Sequence, residues 1–191
     1  MIINNINKYK RSIREANYSK DNETVIWDFY VTKSLSRASS QHRQITDYHK
    51  DDFRRPLNLL SLMLKVARVD EEKCKIVHGK SMNAGLAQLG LLTDQYDAMN
   101  IATPRIACLI PYSRYDGADE HSAKNSVLWL MIHTRNALAH GRTYFFSNDF
   151  VMLEDLDFDK TLTSRMIFHK DTLLAWIKLF DKEKRYYPEI N

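Results

Sequence analysis

A chain of 191 residues with a formal charge of +4 and a pI near 9.0 is long enough to bury a substantial core without disulfide or metal staples, so one domain over residues 1–191 is the expectation. That charge permits contact with phosphates but falls short of the dense basic arms of dedicated nucleic-acid binders. Five glycines and four prolines leave little punctuation and favour long helices, while two cysteines, Cys74 and Cys108, without a CxxC spacing argue against a disulfide framework and suit the reducing cytoplasm.

The N-terminal "MIINNINKYKRSIREANYSK" lacks the apolar core of a signal peptide, and no run approaches the roughly 18 apolar residues of a membrane span, so no membrane partner is expected. Asp21 or Asn22 is a candidate N-cap for a first helix with Val25, Ile26, Phe29 and Tyr30 at helical spacing, extending to about His49. In "RRPLNLLSLMLKVAR", Leu57, Leu60, Met63, Leu64 and Ala67 form the stripe of a second core helix with Pro56 in its first turn. Ser81 and Thr93 read as caps for short pieces, "MNAGLAQLG" and "DQYDAMN". Pro104 and Pro111 bracket an irregular connection ending at "DGAD".

A long helix follows from Ala118 to His140, with Gly141 where a left-handed C-terminal cap belongs. "TYFF" and "FVML", separated by "SND", read as a hairpin. "TLTSRMIF" adds a short strand before a helix capped by Asp171. The fold class read from this order is mainly α: four main helices, additional short ones, and a small antiparallel β insertion before the C-terminal helix.

The chemistry concentrates in "HTRNALAHG", residues 133 to 141. At about 100° per residue, Trp129, His133, Asn136 and His140 share one face, a polar stripe on an apolar helix. Arg135 lies roughly 140° around the axis from His140 in a regular helix. Either its side chain bends round, or the helix relaxes at Gly141, or a second copy of the chain supplies the missing group. A two-fold homodimer would do the last of these.

Arg135, Asn136 and His140 resemble the signature of the HEPN superfamily: arginine, a polar residue, three more, then histidine, near the end of a core helix. The likeness lies in the motif and the coarse helix order. It implies a HEPN-like four-helix bundle, RNA as partner and metal-independent cleavage at a dimer interface, with no metal and no cofactor. It also implies a toxin or defence role. In one HEPN group an antitoxin modifies a tyrosine two places after the histidine. Arg142 stands there in this chain, with Tyr144 two residues later, which departs from that pattern.

Residue chemistry gives the roles such a site would need. A neutral histidine takes the proton of a ribose 2′-hydroxyl readily, because its ordinary pKa of about 6.5 lies near working pH, and His140 is the candidate base. The oxygen so activated attacks the adjacent phosphorus, and the forked, permanent cation of Arg135 meets the charge that develops. The expected products are a 2′,3′-cyclic phosphate and a 5′-hydroxyl. Asn136 is assigned to orient the imidazole or hold a phosphate oxygen. His133 and Arg142 are candidate substrate contacts, His133 also as the donor to the leaving group. Their structural alternatives are a half-buried histidine bonded to a backbone carbonyl and a solvated surface arginine.

A non-catalytic RNA- or protein-binding module is the second reading, with Arg135 and His140 as favourable cations at the helix C-terminus. "DLDFDK" alternates Asp155, Asp157 and Asp159 as a calcium loop begins but lacks the later Gly and Glu, and reads as an exposed strand edge or turn. His42, Arg43, His49, Lys50, Arg54 and Arg55 form a basic cluster in sequence, either an RNA-tracking surface or a solvated face. Trp27, Trp129 and Trp176 read as core.

Overall fold

The Ser19 side chain opens the first helix, accepting the backbone N–H of Asn22 at 3.2 Å, so the cap lies ahead of the expected Asp21 or Asn22. A computed structural model of the chain describes residues 16–36, 39–48, 56–79, 82–91, 103–111, 123–146 and 148–190. Helix α1, Lys20–Trp27, widens into a π-type turn over Asp28–Thr32, closed by Lys33 N–H donating to the Asp28 carbonyl at 2.8 Å. The helix therefore does not run to His49. After that turn the chain leaves the helical path, the Ser34 and Ser39 hydroxyls pair, and among the described residues before α3 a single further turn, α2 (Ile45–Tyr48), follows. Helix α3, Pro56–Ala67, matches the second predicted helix and stops where Arg68 turns to φ 55°.

Among the described residues, five strands make one sheet. They are β1 (Cys74–Gly79), β2 (Arg105–Pro111), β3 (Thr143–Phe145), β4 (Phe150–Leu156) and β5 (Leu162–His169), in the order β1-β2-β5-β4-β3. β1 and β2 are parallel, with Cys74 opposite Ile106 and Ile76 opposite Cys108, and helix α4, Asn83–Gln88, lies between them in sequence. The remaining pairs are antiparallel. The hairpin and third strand read from the sequence are β3, β4 and β5. Ser81, Thr93, "DQYDAMN" and "DGAD" lie outside the described residues.

The mainly α reading, a HEPN-like four-helix bundle with a small insertion, is corrected here: the protein is mixed α/β. The physical reason lies in "KIVHG" and "RIACLIP". These apolar runs have too few residues for a core helix, are rich in β-branched side chains, and pair to extend the predicted three-stranded sheet past the β5 edge. Helices α1, α3, α5 (Ala123–Ala139) and α6 (Thr172–Phe180) do pack on one another, but α5 also lies on β2 and β4, and the helices share their core with one face of the sheet, where Ile106, Cys108, Ile110, Leu153, Met166 and Phe168 are buried.

Trp176 is buried in that layer and its indole N–H donates to the Met63 carbonyl at 2.9 Å, tying α6 to α3. The expectation for Trp129 holds as well, since it is buried; Trp27 is not core, being 45% exposed. The opposite face carries Met82, Leu86, Leu89 and Leu91 against Ala107, Leu109, Met152 and Ile167. An ion pair is buried on that side: Arg165 Nε donates to Glu154 Oε1 at 2.6 Å, and Arg165 also donates to the Leu91 carbonyl. Among the described residues no helix is long and apolar enough to cross a membrane.

Helix α5 ends as its glycine predicts. Arg142 N–H donates to the Ala137 carbonyl at 2.8 Å and Gly141 takes φ 64°, the left-handed residue of a Schellman-type cap. A Cβ at this position would meet nothing within 4 Å. Gly141→Ala is therefore expected to cost only the backbone penalty of about 1–2 kcal/mol, read as a lower urea midpoint at unchanged slope; an unchanged midpoint would contradict the cap.

Candidate functional site

Helix α5 packs on β2 and β4, and its polar stripe meets the sheet through the Asp155 carboxylate of β4 and the Leu109 carbonyl of β2. Trp129 and His133 are stacked at a tilt, ring centroids 5.5 Å apart, one turn from each other on the buried side. The His133 ring is enclosed, 2% exposed. Its Nδ1 lies 2.8 Å from Asp155 Oδ2 and its Nε2 lies 2.8 Å from the Leu109 carbonyl oxygen.

This geometry suits a ring protonated at both nitrogens. A backbone carbonyl can only accept, so Nε2 carries a hydrogen. On the other side Nδ1 shares Asp155 Oδ2 with Asn136 Nδ2, which donates to that oxygen at 2.8 Å, so a ring protonated at both nitrogens has an acceptor for each N–H. Both contacts therefore favour the imidazolium form of the buried His133. Burial alone opposes the charge, but the adjacent Cys108 sulfur and the hydrogen-bonded Asp155 carboxylate outweigh it and raise the pKa to about 10.

The bonds continue outward from the core. Arg135 Nη1 donates to Asn136 Oδ1 at 3.1 Å, which makes a run from His133 through Asp155 and Asn136 to the guanidinium. Arg135 therefore bends round the helix toward the stripe. The angular gap that motivated a homodimer is narrowed within one chain, because Asn136 and His140 sit one turn apart on the same face. His140 is exposed at the helix exit, its backbone N–H still bonded to the Asn136 carbonyl at 3.0 Å.

The remaining predicted residues fall as follows. His133 takes the backbone-carbonyl bond that was its structural alternative, and it is fully rather than half buried, so it does not face a substrate. Asn136 has its amide engaged by Asp155 and Arg135 rather than by the His140 imidazole. Arg142 is half-buried, and its backbone bridges the helix end to β4: the Glu154 N–H donates to its carbonyl at 3.0 Å.

Asp155 is the residue the sequence reading missed. It is not on an exposed edge but 4% exposed, in the middle of the network. The signal was available: in "FVMLEDL", Asp155 is in phase with the core-facing Val151 and Leu153, and a carboxylate on that phase needs a partner. Asp157 and Asp159, by contrast, are exposed in the turn after β4, where Asp159 accepts from Thr161 N–H at 2.8 Å. Among the described residues no group of three or more His, Cys, Asp or Glu is placed to hold a metal ion. In the basic cluster, Arg43 lies over the Tyr186 ring at 3.9 Å, His42 is exposed, and His49, Lys50, Arg54 and Arg55 lie outside the described residues.

Fold and site together define a mixed α/β domain with an arginine–amide–carboxylate–imidazolium network under one helix end and an exposed histidine at its tip. Comparison with protein-family models, curated proteins and solved structures gives no match. The HEPN resemblance is thus confined to the motif Arg135, Asn136, His140. It brings no helical bundle with it, since the chain folds around a sheet, and the toxin and defence roles attached to that family have no support beyond the motif.

Proposed function

We propose that the protein is a metal-independent endoribonuclease acting at the end of α5. The observation that carries this reading is an exposed imidazole, His140, one helical turn from an amide that holds the Arg135 guanidinium. In the proposed reaction His140 takes the proton of a ribose 2′-hydroxyl, and that oxygen forms a bond to the adjacent phosphorus. The bond to the 5′-oxygen then breaks, and the leaving oxygen takes its proton from solvent because His133 is enclosed. Arg135 stabilises the charge gathering on the phosphoryl oxygens.

The test is chemical. RNA incubated with the protein in excess EDTA is expected to yield 2′,3′-cyclic phosphate and 5′-hydroxyl ends, and the same strand with 2′-deoxyribose at the cut position is expected to survive. Cleavage of the deoxy strand, or loss of cleavage on chelation, would remove the reading. A second reading, an RNA- or protein-binding module that does not cut, is favoured by the enclosure of His133, which leaves the site without a second imidazole for acid–base work. Retention of RNA without new ends would support it.

A further inference from the structure

We infer that Asp155 is the positioning residue of this site: its carboxylate, presented from β4, fixes which way the Asn136 amide faces and so aims the Arg135 guanidinium. An amide can turn either its oxygen or its NH2 group toward a neighbour. Asn136 has a different partner at each end, so its orientation decides whether Arg135 finds an acceptor or a donor. Asp155 Oδ2 only accepts, and it takes Asn136 Nδ2 at 2.8 Å. The amide oxygen is left for Arg135 Nη1 at 3.1 Å. Reversing the amide would set its NH2 group against the guanidinium, donor to donor.

The same oxygen is gripped from a second side by His133 Nδ1 at 2.8 Å, while His133 Nε2 is anchored on the Leu109 carbonyl. Asp155 is thereby tied to β2 and α5 as well as to its own strand. Its position follows the sheet, and a sheet-borne group is a more rigid reference than the last turn of a helix. The direction of the arginine is in this way set from the β4 side of the molecule, 20 residues along the chain from Arg135.

The kinetic consequence rests on the ribonuclease reading above, whereas the chain of bonds does not, and the experiment separates the two. Asp155→Asn keeps the size of the side chain and replaces one acceptor oxygen with a donor, so the Asn136 amide loses its single forced orientation. Asn136→Ala cuts the link outright and leaves the Asp155–His133 pair in place. Each variant is expected to lower kcat for RNA about 10- to 100-fold, the scale of a misaimed transition-state contact, with KM within about twofold. Asp155→Asn made in the Asn136→Ala background is expected to lower kcat no further, because both changes act through one contact. Independent contributions that multiply, or an unchanged kcat, would overturn the inference.

Nitrogen-15 spectra of the Arg135 guanidinium supply the arm that needs no activity. Slow rotation with resolved Nη signals is expected in the parent protein and averaged signals in either variant. If the parent protein does not cut RNA, the ribonuclease reading falls and these spectra alone decide on Asp155. Guanidinium signals identical in the parent and in Asp155→Asn would count against it in either case.

Discussion

His140→Ala is expected to lower the rate of RNA cleavage by about 10²–10⁴-fold, the usual contribution of a general base, while leaving the folded protein nearly as stable as before. The two halves of that statement come from the same observation. His140 is exposed, and it stands after the last residue of α5, held there by a backbone bond to Asn136 that alanine keeps. Surface substitutions of this kind usually change stability by no more than about 0.5 kcal/mol. Loss of rate without loss of melting temperature therefore isolates chemistry from folding. The measurement is single-turnover cleavage of a short labelled RNA, beside a thermal melt and a filter-binding assay. Cleavage at the parental rate would remove His140 from the mechanism. A variant that still cuts normally once saturated but needs far more RNA would assign His140 to RNA binding and not to the proton transfer.

How far the sequence disclosed this arrangement depends on the kind of pattern involved. The α5 exit was legible because glycine at a helix end has one common conformational reason, and Gly141 takes it. The β3–β4 hairpin and β5 were legible from short β-branched and aromatic runs separated by turn residues. Strand β2 was not. "IACLI" has no alternation to read, since Ile106, Cys108 and Ile110 pack on one face and Ala107 and Leu109 on the other. The flanking Pro104 and Pro111 suggested a loop, yet they stand at the margins of β2, where a missing N–H costs the ladder least. Without β1 and β2 the remaining strands looked like an insertion among helices, and the bundle followed.

The site was legible in its helical half only. Spacing alone places His133, Asn136 and His140 on a common face, and it places Arg135 away from them. What spacing lacks is the long-range partner. Asp155 lies 19 residues from Asn136 and 22 from His133 in sequence, and only the pairing of β4 within the sheet brings it beneath α5. The reach of the Arg135 side chain is likewise a property of its acceptor, the Asn136 oxygen, and not of the helix angle.

Removing Asp155 altogether tests the charge that this partner balances. Asp155→Ala is expected to destabilise the protein by about 3–5 kcal/mol near pH 6, the penalty for leaving a buried charge without its counterion. The effect carries a pH signature whose sign follows from the raised pKa of His133. In the unfolded chain histidine titrates near 6.5; in the native protein His133 holds its proton to about 10. Between those values the native state binds one proton more than the unfolded state, so stability declines as pH rises. The contribution is complete below about pH 6.5 and is lost as pH passes through about 10. In Asp155→Ala the enclosed ring has lost its hydrogen-bonded carboxylate and keeps only the adjacent Cys108 sulfur to favour its charge, so the variant gains less from acid over the same interval. The gap between the two proteins should therefore be widest near pH 6 and narrow steadily toward pH 10. Urea titrations at half-unit steps measure it, and subtracting one profile from the other cancels titrations common to both, including those of the buried tyrosines Tyr18, Tyr30 and Tyr187, which burial holds above the usual tyrosine range. A gap of constant size across that interval would mean that His133 is neutral in the native protein. The Nδ1–Asp155 and Nε2–Leu109 contacts could not then both be hydrogen bonds donated by the ring.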